Sequence, residues 1–283
     1  MAPSASGGKA PRKTRSRGFS WLPGALFSVA AVIAAVALAL FLARSEESTF
    51  RAVIVDQLAL TEPNAAFVSN VTGMLERAGY EVDYVPGEDV TVDFYRDLPS
   101  RGYELLVLRV HTARFEEESL HMPDPAKKQE LLATFGEDVF LFTSEPYDQS
   151  KYARERERRQ LFAVRYRQGG DQRYFGVTPH FVQSAMRGDF GGATILLMGC
   201  DGLLFDNTPR ALVEKGAKAV VGWDGLVSGA HTDAATEALL GHLLEGATLG
   251  QAVQKTMSEV GWEPAYENSL RVYPQEAAVE TIR

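Results

Sequence analysis

Hydrophobic positions fall into short runs separated by amphipathic stretches along most of the chain. The runs predict strands, several of them buried on both faces of a sheet, at 52–55, 80–85, 105–110, 193–198, 219–222 and 269–273. In the stretches around them, apolar residues recur at helical spacing, which predicts helices at 63–78, 92–98, 179–186, 209–215, 230–244 and 249–260. This alternation predicts an α/β fold with a mostly parallel sheet and helices on both faces.

The section 112–178 breaks this rhythm. Its first part, 112–128, is polar and contains two prolines, so it is predicted as a loop. Three short strands are predicted at 139–143, 161–167 and 173–177. The last two flank the turn-forming residues 168–171, which predicts a β-hairpin. We interpret 112–178 as an insertion within one domain that spans 51–283.

One apolar stretch, 21–43, is much longer than the others and contains no charged residue. As a helix it would measure about 34 Å, enough to cross a hydrocarbon core of about 30 Å, so it is predicted to be a transmembrane anchor. The segment 1–20 is basic and has no acidic residue. The positive-inside rule therefore predicts a cytoplasmic tail and an extracytoplasmic domain. A cleaved signal peptide is the alternative, although its apolar core would exceed the usual length of about 7–15 residues.

The charge balance limits the partners of the domain. Beyond Arg44 the chain has 23 basic and 37 acidic residues, a formal charge of −14. Such a surface repels phosphates, which argues against nucleic acid as a partner and against broad binding to anionic lipid. The motifs GxSxG, GxxxxGK[ST], GxGxxG, CxxC and HExxH do not occur in the sequence, which removes the common hydrolase, nucleotide and zinc sites, and no metal site is predicted.

Side chains with useful chemistry directly follow predicted strands. Asp56 follows the first strand, His111 the third, Cys200 the next long one, and Asp224 the one after that. The carboxyl ends of parallel strands meet at one edge of a sheet, so these groups are expected to gather there. A cysteine nucleophile needs a nearby base, which His111 is positioned to supply. The alternative is a plain flavodoxin-like binding domain in which Cys200 is buried and inert.

The residues next to Cys200 suit a reactive site. Gly199 and Gly202 permit a tight turn and the close approach of a substrate, and the Cys200 N–H is expected to point at a developing oxyanion. Asp201, together with Asp56 and Asp224, is predicted to form an acidic pocket for a lysine or arginine side chain. Aspartate is also common in turns, which is the simpler explanation of the same residues.

Four segments together resemble the caspase-like superfamily of cysteine peptidases, especially its CHAT-type, gingipain-like and clostripain-like domains. They are the strand that ends in His111, MGCDG at 198–202, AVVGWDG at 219–225 and LLEGATLGQAVQKT at 243–256. The resemblance implies a caspase-like sheet in flavodoxin-like strand order. It also implies that Cys200 is the nucleophile and His111 the general acid/base of peptide hydrolysis without an organic cofactor.

The resemblance further implies that the N–H after the catalytic histidine belongs to the oxyanion hole, together with Gly199. The family usually has glycine at that position, whereas this chain has Thr112. We therefore expect a membrane-anchored, extracytoplasmic cysteine peptidase that acts on a peptide or protein substrate and prefers basic residues before the scissile bond. The alternative is a catalytically inactive caspase-like module with a binding or signalling role. The oligomeric state is not predicted.

Overall fold

The computed structural model describes residues 50–115, 124–166 and 170–283. Strands β1 to β10 of this described part are, in chain order, Phe50–Asp56, Tyr80–Pro86, Leu105–Arg109, Thr112–Arg114, Val139–Pro146, Leu161–Val164, Tyr174–Val177, Thr194–Leu197, Ala219–Trp223 and Leu270–Tyr273. Helices α1 to α8 are Ala65–Arg77, Val92–Asp97, Pro125–Phe135, Ala153–Glu157, Pro179–Ser184, Asn207–Glu214, Gly229–Leu244 and Leu249–Val260.

The main sheet has six strands in the order β2-β1-β3-β8-β9-β10. The first five are parallel to one another, and β10 pairs antiparallel with β9 at the edge. The predicted mostly parallel sheet is therefore confirmed. The chain runs from β1 to β2 on one side and returns to β3 on the other, so the order reverses between β1 and β3. In sheets of this kind ligands bind at the carboxyl edge near such a reversal.

Helices cover both faces of the main sheet, as predicted. Side chains on one face, such as Ala52 and Ile54, pack with apolar residues of α1, α7 and α8. Side chains on the other face, such as Val53 and Val55, pack with residues of α2, α5 and α6. Because both faces of the central strands are buried, their sequences are continuously apolar rather than alternating.

The section 112–178 forms a second, antiparallel sheet in the order β4-β5-β7-β6. Pairing of β6 with β7 confirms the predicted hairpin, whose residues 167–169 lie outside the described part. One face of this sheet joins the main core through Leu141, Leu161, Phe175 and Val177. The opposite face carries an aromatic cluster that includes Phe140, Phe142, Phe162, Tyr166 and Tyr174.

The predicted loop at 112–128 is wrong where the structure describes it. Residues Thr112–Arg114 form β4, which pairs with β5. This edge strand is half-buried, so it lacks the apolar run by which a central strand is recognised. Helix α3 begins at Pro125, and the Asp124 side chain caps it by accepting hydrogen bonds from two backbone N–H groups. Proline at the first turn starts a helix here rather than interrupting one.

The membrane prediction falls on residues for which the structure gives no description. Both the tail 1–20 and the anchor 21–43 lie outside the described residues. Within the described ranges, no helix has the length and apolarity needed to cross a bilayer. The anchor and the orientation derived from it stay predictions.

Candidate functional site

Cys200 and His111 lie on adjacent turns at the carboxyl edge of the main sheet. His111 follows β3 by two residues, and Cys200 follows β8 by three. These strands are neighbours, with Leu108 opposite Leu197. The turns also touch directly, because the Thr112 hydroxyl donates a hydrogen bond to the Cys200 carbonyl. The structure thus brings together the two segments that the sequence predicted to meet.

The Cys200 thiol is half-buried and faces the loop after β9. Its Sγ donates a hydrogen bond to the Val227 carbonyl at 3.4 Å and accepts one from the Val227 N–H at 3.5 Å. An N–H group directed at sulfur favours the thiolate, whereas the carbonyl favours the protonated thiol. This loop is a contact that the sequence did not suggest.

The His111 ring is held by the hydroxyl of Thr61. The distance from His111 Nε2 to Thr61 Oγ1 is 2.6 Å, and the same hydroxyl donates to the Leu58 carbonyl at 3.2 Å. A hydroxyl has one proton, so a Thr61 hydroxyl that donates to Leu58 accepts its hydrogen bond from the Nε2–H of the ring. The opposite nitrogen, Nδ1, is then the basic one.

The second sheet covers the imidazole and keeps it neutral. The His111 ring lies 4.7 Å from the Tyr166 ring and 5.8 Å from the Phe142 ring, measured between centroids. The Gln57 side chain accepts from the His111 backbone N–H at 2.9 Å and donates to the Tyr166 hydroxyl at 2.7 Å. Burial and the nearby Arg109 guanidinium lower the pKa of His111 to about 4. The ring is therefore an uncharged base at pH 7.

Thiol and imidazole have separate partners in this structure. In the described ranges no hydrogen bond joins Cys200 Sγ to the His111 ring. Sγ is hydrogen-bonded to the Val227 backbone, and His111 Nε2 is hydrogen-bonded to the Thr61 hydroxyl. Rotation about the single χ1 angle of Cys200 moves the sulfur away from Val227. Catalytic hydrogen bonds are often long in unliganded enzymes and tighten when substrate binds, so the separation is compatible with a dyad.

The two predicted oxyanion positions behave differently. A Cβ atom at Gly199 would collide with the Val110 carbonyl oxygen, so only glycine fits where the two turns cross. Thr112 lies opposite Leu141, and the adjacent ladder bond runs from Phe142 N–H to the His111 carbonyl at 3.0 Å. By the alternation of an antiparallel ladder, the Thr112 N–H then points away from β5. The Thr112 N–H is therefore not used in a hydrogen bond between strands of the sheet.

Each carboxylate of the predicted acidic pocket faces an arginine of the chain. The ion pairs are Asp56 with Arg109 at 2.7 Å, Asp201 with Arg114 at 3.2 Å and Asp224 with Arg271 at 2.7 Å. Asp201 and Asp224 do lie on neighbouring loops, because the Asp201 N–H donates to the Gly225 carbonyl at 2.8 Å. Asp56 instead belongs to a buried cluster around Arg109. The pocket for a basic side chain stays a prediction.

The sequence analysis missed this buried cluster, which lies directly under the site. Arg109 is 1% exposed and donates from Nη1 to Asp56 at 2.7 Å, and from Nε and Nη2 to Asp233 at 2.6 and 2.9 Å. Nη2 also donates to the Glu62 carbonyl at 2.9 Å, and Asn64 donates to Asp233 at 2.8 Å. The signal was an arginine within an otherwise apolar central strand, where a charge must be paired.

Side chains that bind metals are dispersed in the described ranges. No group of three or more histidine, cysteine, aspartate or glutamate residues there is arranged to hold a metal ion. His242 pairs with Glu259 at 3.1 Å, and the His231 ring packs 5.3 Å from that of Trp223. The expectation of no metal and no organic cofactor stays a prediction.

The described residues bring a thiol, a neutral imidazole and a backbone N–H outside the sheet ladder to one edge of a parallel sheet. No protein-family model matches the chain, and no curated protein matches it either.

Proposed function

We propose that the chain is a caspase-like cysteine peptidase that acts on a peptide or protein substrate. The observation that carries the proposal is the placement of His111 and Cys200 on touching turns of β3 and β8, with the imidazole neutral and its Nε2 held by Thr61. The strand order β2-β1-β3-β8-β9 with an antiparallel edge strand supports it, because this order places both turns at a ligand-binding edge.

The reaction follows from these groups. His111 Nδ1 takes the thiol proton, and the Cys200 thiolate attacks the carbonyl carbon of the peptide. The Thr112 N–H donates to the oxyanion that forms. The imidazolium then protonates the departing amine, which leaves a thioester on Cys200. His111 next takes a proton from water, the hydroxide attacks the thioester, and release of the acid restores the thiol.

The neutral state of His111 fits its role in the first step. A protonated imidazole could not accept the thiol proton, and a pKa of about 4 keeps the ring unprotonated at neutral pH. Once the thiolate forms, its charge stabilises the adjacent imidazolium and raises that low pKa. Proton transfer and the approach of the sulfur to the ring are therefore coupled.

The proposal includes a membrane anchor, and the preference for basic side chains stays a prediction. The apolar stretch 21–43 with its basic flank supports a cytoplasmic N-terminus and an extracytoplasmic domain, so the substrate would lie near the membrane. The three carboxylates expected to select lysine or arginine are each paired with an arginine of the chain. A paired carboxylate attracts a substrate cation less strongly than an isolated one.

The test is labelling of the full-length protein with thiol-directed peptidyl probes that carry Arg, Leu or Asp before the reactive group. We expect labelling of wild type, none of Cys200→Ala, and a rate at least about 100-fold lower for His111→Ala, because general base catalysis is worth that much or more. His242→Ala serves as the control, since His242 pairs with Glu259 on the α7–α8 surface. Labelling at the same rate with and without His111 would refute the proposed Cys200–His111 dyad.

An inactive binding module is the second candidate, and one observation favours it. Cys200 Sγ is hydrogen-bonded to the N–H and carbonyl of Val227, while His111 Nε2 is held by Thr61. If these contacts persist with a peptide bound, the thiol and imidazole never meet. In that case Cys200→Ala would bind a peptide ligand as tightly as wild type, and wild type would release no cleavage product.

Thr61 gives a further prediction for the proposed reaction. Replacing Thr61 with valine removes the oxygen that holds Nε2, so both the ring tautomer and its orientation are released. We expect Thr61→Val to lower the probe-labelling rate about tenfold, the equivalent of one hydrogen bond. Thr61→Ser keeps the hydroxyl and is expected to label at the wild-type rate. Equal rates for the valine and serine variants would show that the Thr61 hydroxyl does not hold the imidazole for catalysis.

A further inference from the structure

Two side chains of β4, in the second sheet, contact the turn that carries Cys200. The Thr112 hydroxyl donates to the Cys200 carbonyl, and Arg114 Nε donates to Asp201 Oδ2 at 3.2 Å. Thr112 and Arg114 are two residues apart in a strand, so their side chains lie on the same face. Their partners are consecutive residues of the turn. One face of β4 therefore contacts both Cys200 and Asp201.

This turn has an unfavourable backbone conformation at Asp201. Asp201 has a φ of +57°, in the left-handed region that L-residues with a side chain rarely adopt. Hydrogen bonds from Asp201 N–H to the Gly225 carbonyl at 2.8 Å and from Leu204 N–H to the Asp201 carbonyl at 3.1 Å hold it there. Such conformations persist only where several contacts enforce them together. The Arg114 ion pair with the nearly buried Asp201 side chain is one of these contacts.

The same turn also positions the thiol. Two of its groups are hydrogen-bonded to the loop after β9. The Asp201 N–H donates to the Gly225 carbonyl, and Cys200 Sγ is hydrogen-bonded to the Val227 backbone. The turn is therefore held between this loop on one side and β4 on the other. If β4 releases the Cys200 carbonyl, the main chain at 200–201 is freer to rotate, and the sulfur loses its fixed approach to both the N–H and the carbonyl of Val227.

We propose that Thr112 and Arg114 are positioning residues through which the second sheet fixes the Cys200 turn and so sets the reactivity of the thiol. Thr112 thus has a role that a glycine at this position could not fill, because glycine has no hydroxyl to donate. The catalytic consequence rests on the proposed peptidase function. The effect on the thiol does not, since it follows from the contacts of the turn alone.

The closing experiment measures alkylation of the full-length protein by iodoacetamide as a function of pH. Cys200 is the single cysteine of the chain, so the rate reports this thiol alone. Thr112→Val would free the sulfur from the Val227 N–H, which favours the thiolate, and from the Val227 carbonyl, which favours the thiol, so we expect the midpoint of the pH profile to shift by about one unit. The rate at pH 7 would then change about tenfold. Arg114→Gln is expected to change both quantities in the same direction.

Two variants separate positioning from general damage to the fold. Thr112→Ser keeps the hydroxyl and is expected to restore the wild-type profile to within twofold. Arg187→Gln removes an arginine from an exposed ion pair with Asp97, away from β4, and is expected to leave the profile unchanged. If Thr112→Val does not fold, as judged by circular dichroism, Arg114→Gln provides the same comparison.

The outcomes distinguish this inference from the proposed function. Wild-type profiles in both folded variants, Thr112→Val and Arg114→Gln, would overturn the positioning role. Shifted profiles in a protein that no peptidyl probe labels would support the positioning role and refute the peptidase. Shifted profiles together with His111-dependent labelling would support both.

Discussion

Replacing Arg109 with methionine is expected to lower the free energy of unfolding by about 3–5 kcal/mol. Arg109 is 1% exposed and is the charge partner of both Asp56 and Asp233. Methionine fills a similar volume but leaves two buried carboxylates without that partner, and an uncompensated buried charge is costly. The loss should therefore far exceed that from an apolar substitution at a comparable surface position.

Urea unfolding of the full chain measures this effect. The matched control is Arg187→Met, which breaks an exposed pair with Asp97 and is expected to cost about 0–1 kcal/mol. A triple variant that adds Asp56→Asn and Asp233→Asn to Arg109→Met removes the two carboxylate charges that have lost their partner. It is expected to recover part of the lost free energy of unfolding. If Arg109→Met were no more destabilising than Arg187→Met, the cluster would not be a buried ion network in solution.

The second large effect concerns the acid stability of the domain. Burial first, and then Arg109, lower the pKa of His111 from 6.5 to about 4. In the unfolded chain the imidazole takes up its proton near pH 6.5, whereas in the folded protein it does so only near pH 4. As the pH falls through this interval the unfolded state gains protons first, so stability decreases. Above pH 6.5 the group is neutral in both states and has no effect.

The size of this loss follows from the pKa difference, at about 1.4 kcal/mol for each unit. We expect His111 to account for about 3 kcal/mol of destabilisation between pH 6.5 and 4. His111→Gln should remove that component from a plot of unfolding free energy against pH. His180→Gln, on the exposed surface of α5, should retain it. Parallel plots for wild type and His111→Gln would contradict the neutral, half-buried imidazole.

The main sheet could be predicted from the sequence because its central strands are buried on both faces. Continuous apolar runs such as 105–110 are uncommon outside such strands, and the observed β3, Leu105–Arg109, ends one residue earlier than predicted. The second sheet was harder to predict. Strand β4 is a short, half-buried edge strand, and its pairing with β5 joins residues far apart along the chain.

The site could be predicted as a set of strand ends but not as a set of contacts. The alternation of strands and helices placed His111 and Cys200 at one edge because they follow neighbouring parallel strands. The groups that hold them, Thr61 and Val227, lie in loops with no recognisable motif. The arginine partners of the three aspartates are just as distant in sequence, so spacing alone suggested an acidic pocket.

The passage from the main sheet to the second sheet has a consequence for how this domain can vary. Strand β3 ends at Arg109 and β4 begins at Thr112, so only Val110 and His111 connect the two sheets at this point. A connection of two residues cannot absorb a change in its length. One inserted residue here would displace the imidazole and shift the register of β4 in a single step. Length variation should instead be tolerated at the far ends of the second sheet, while the junction at 110–111 keeps its length.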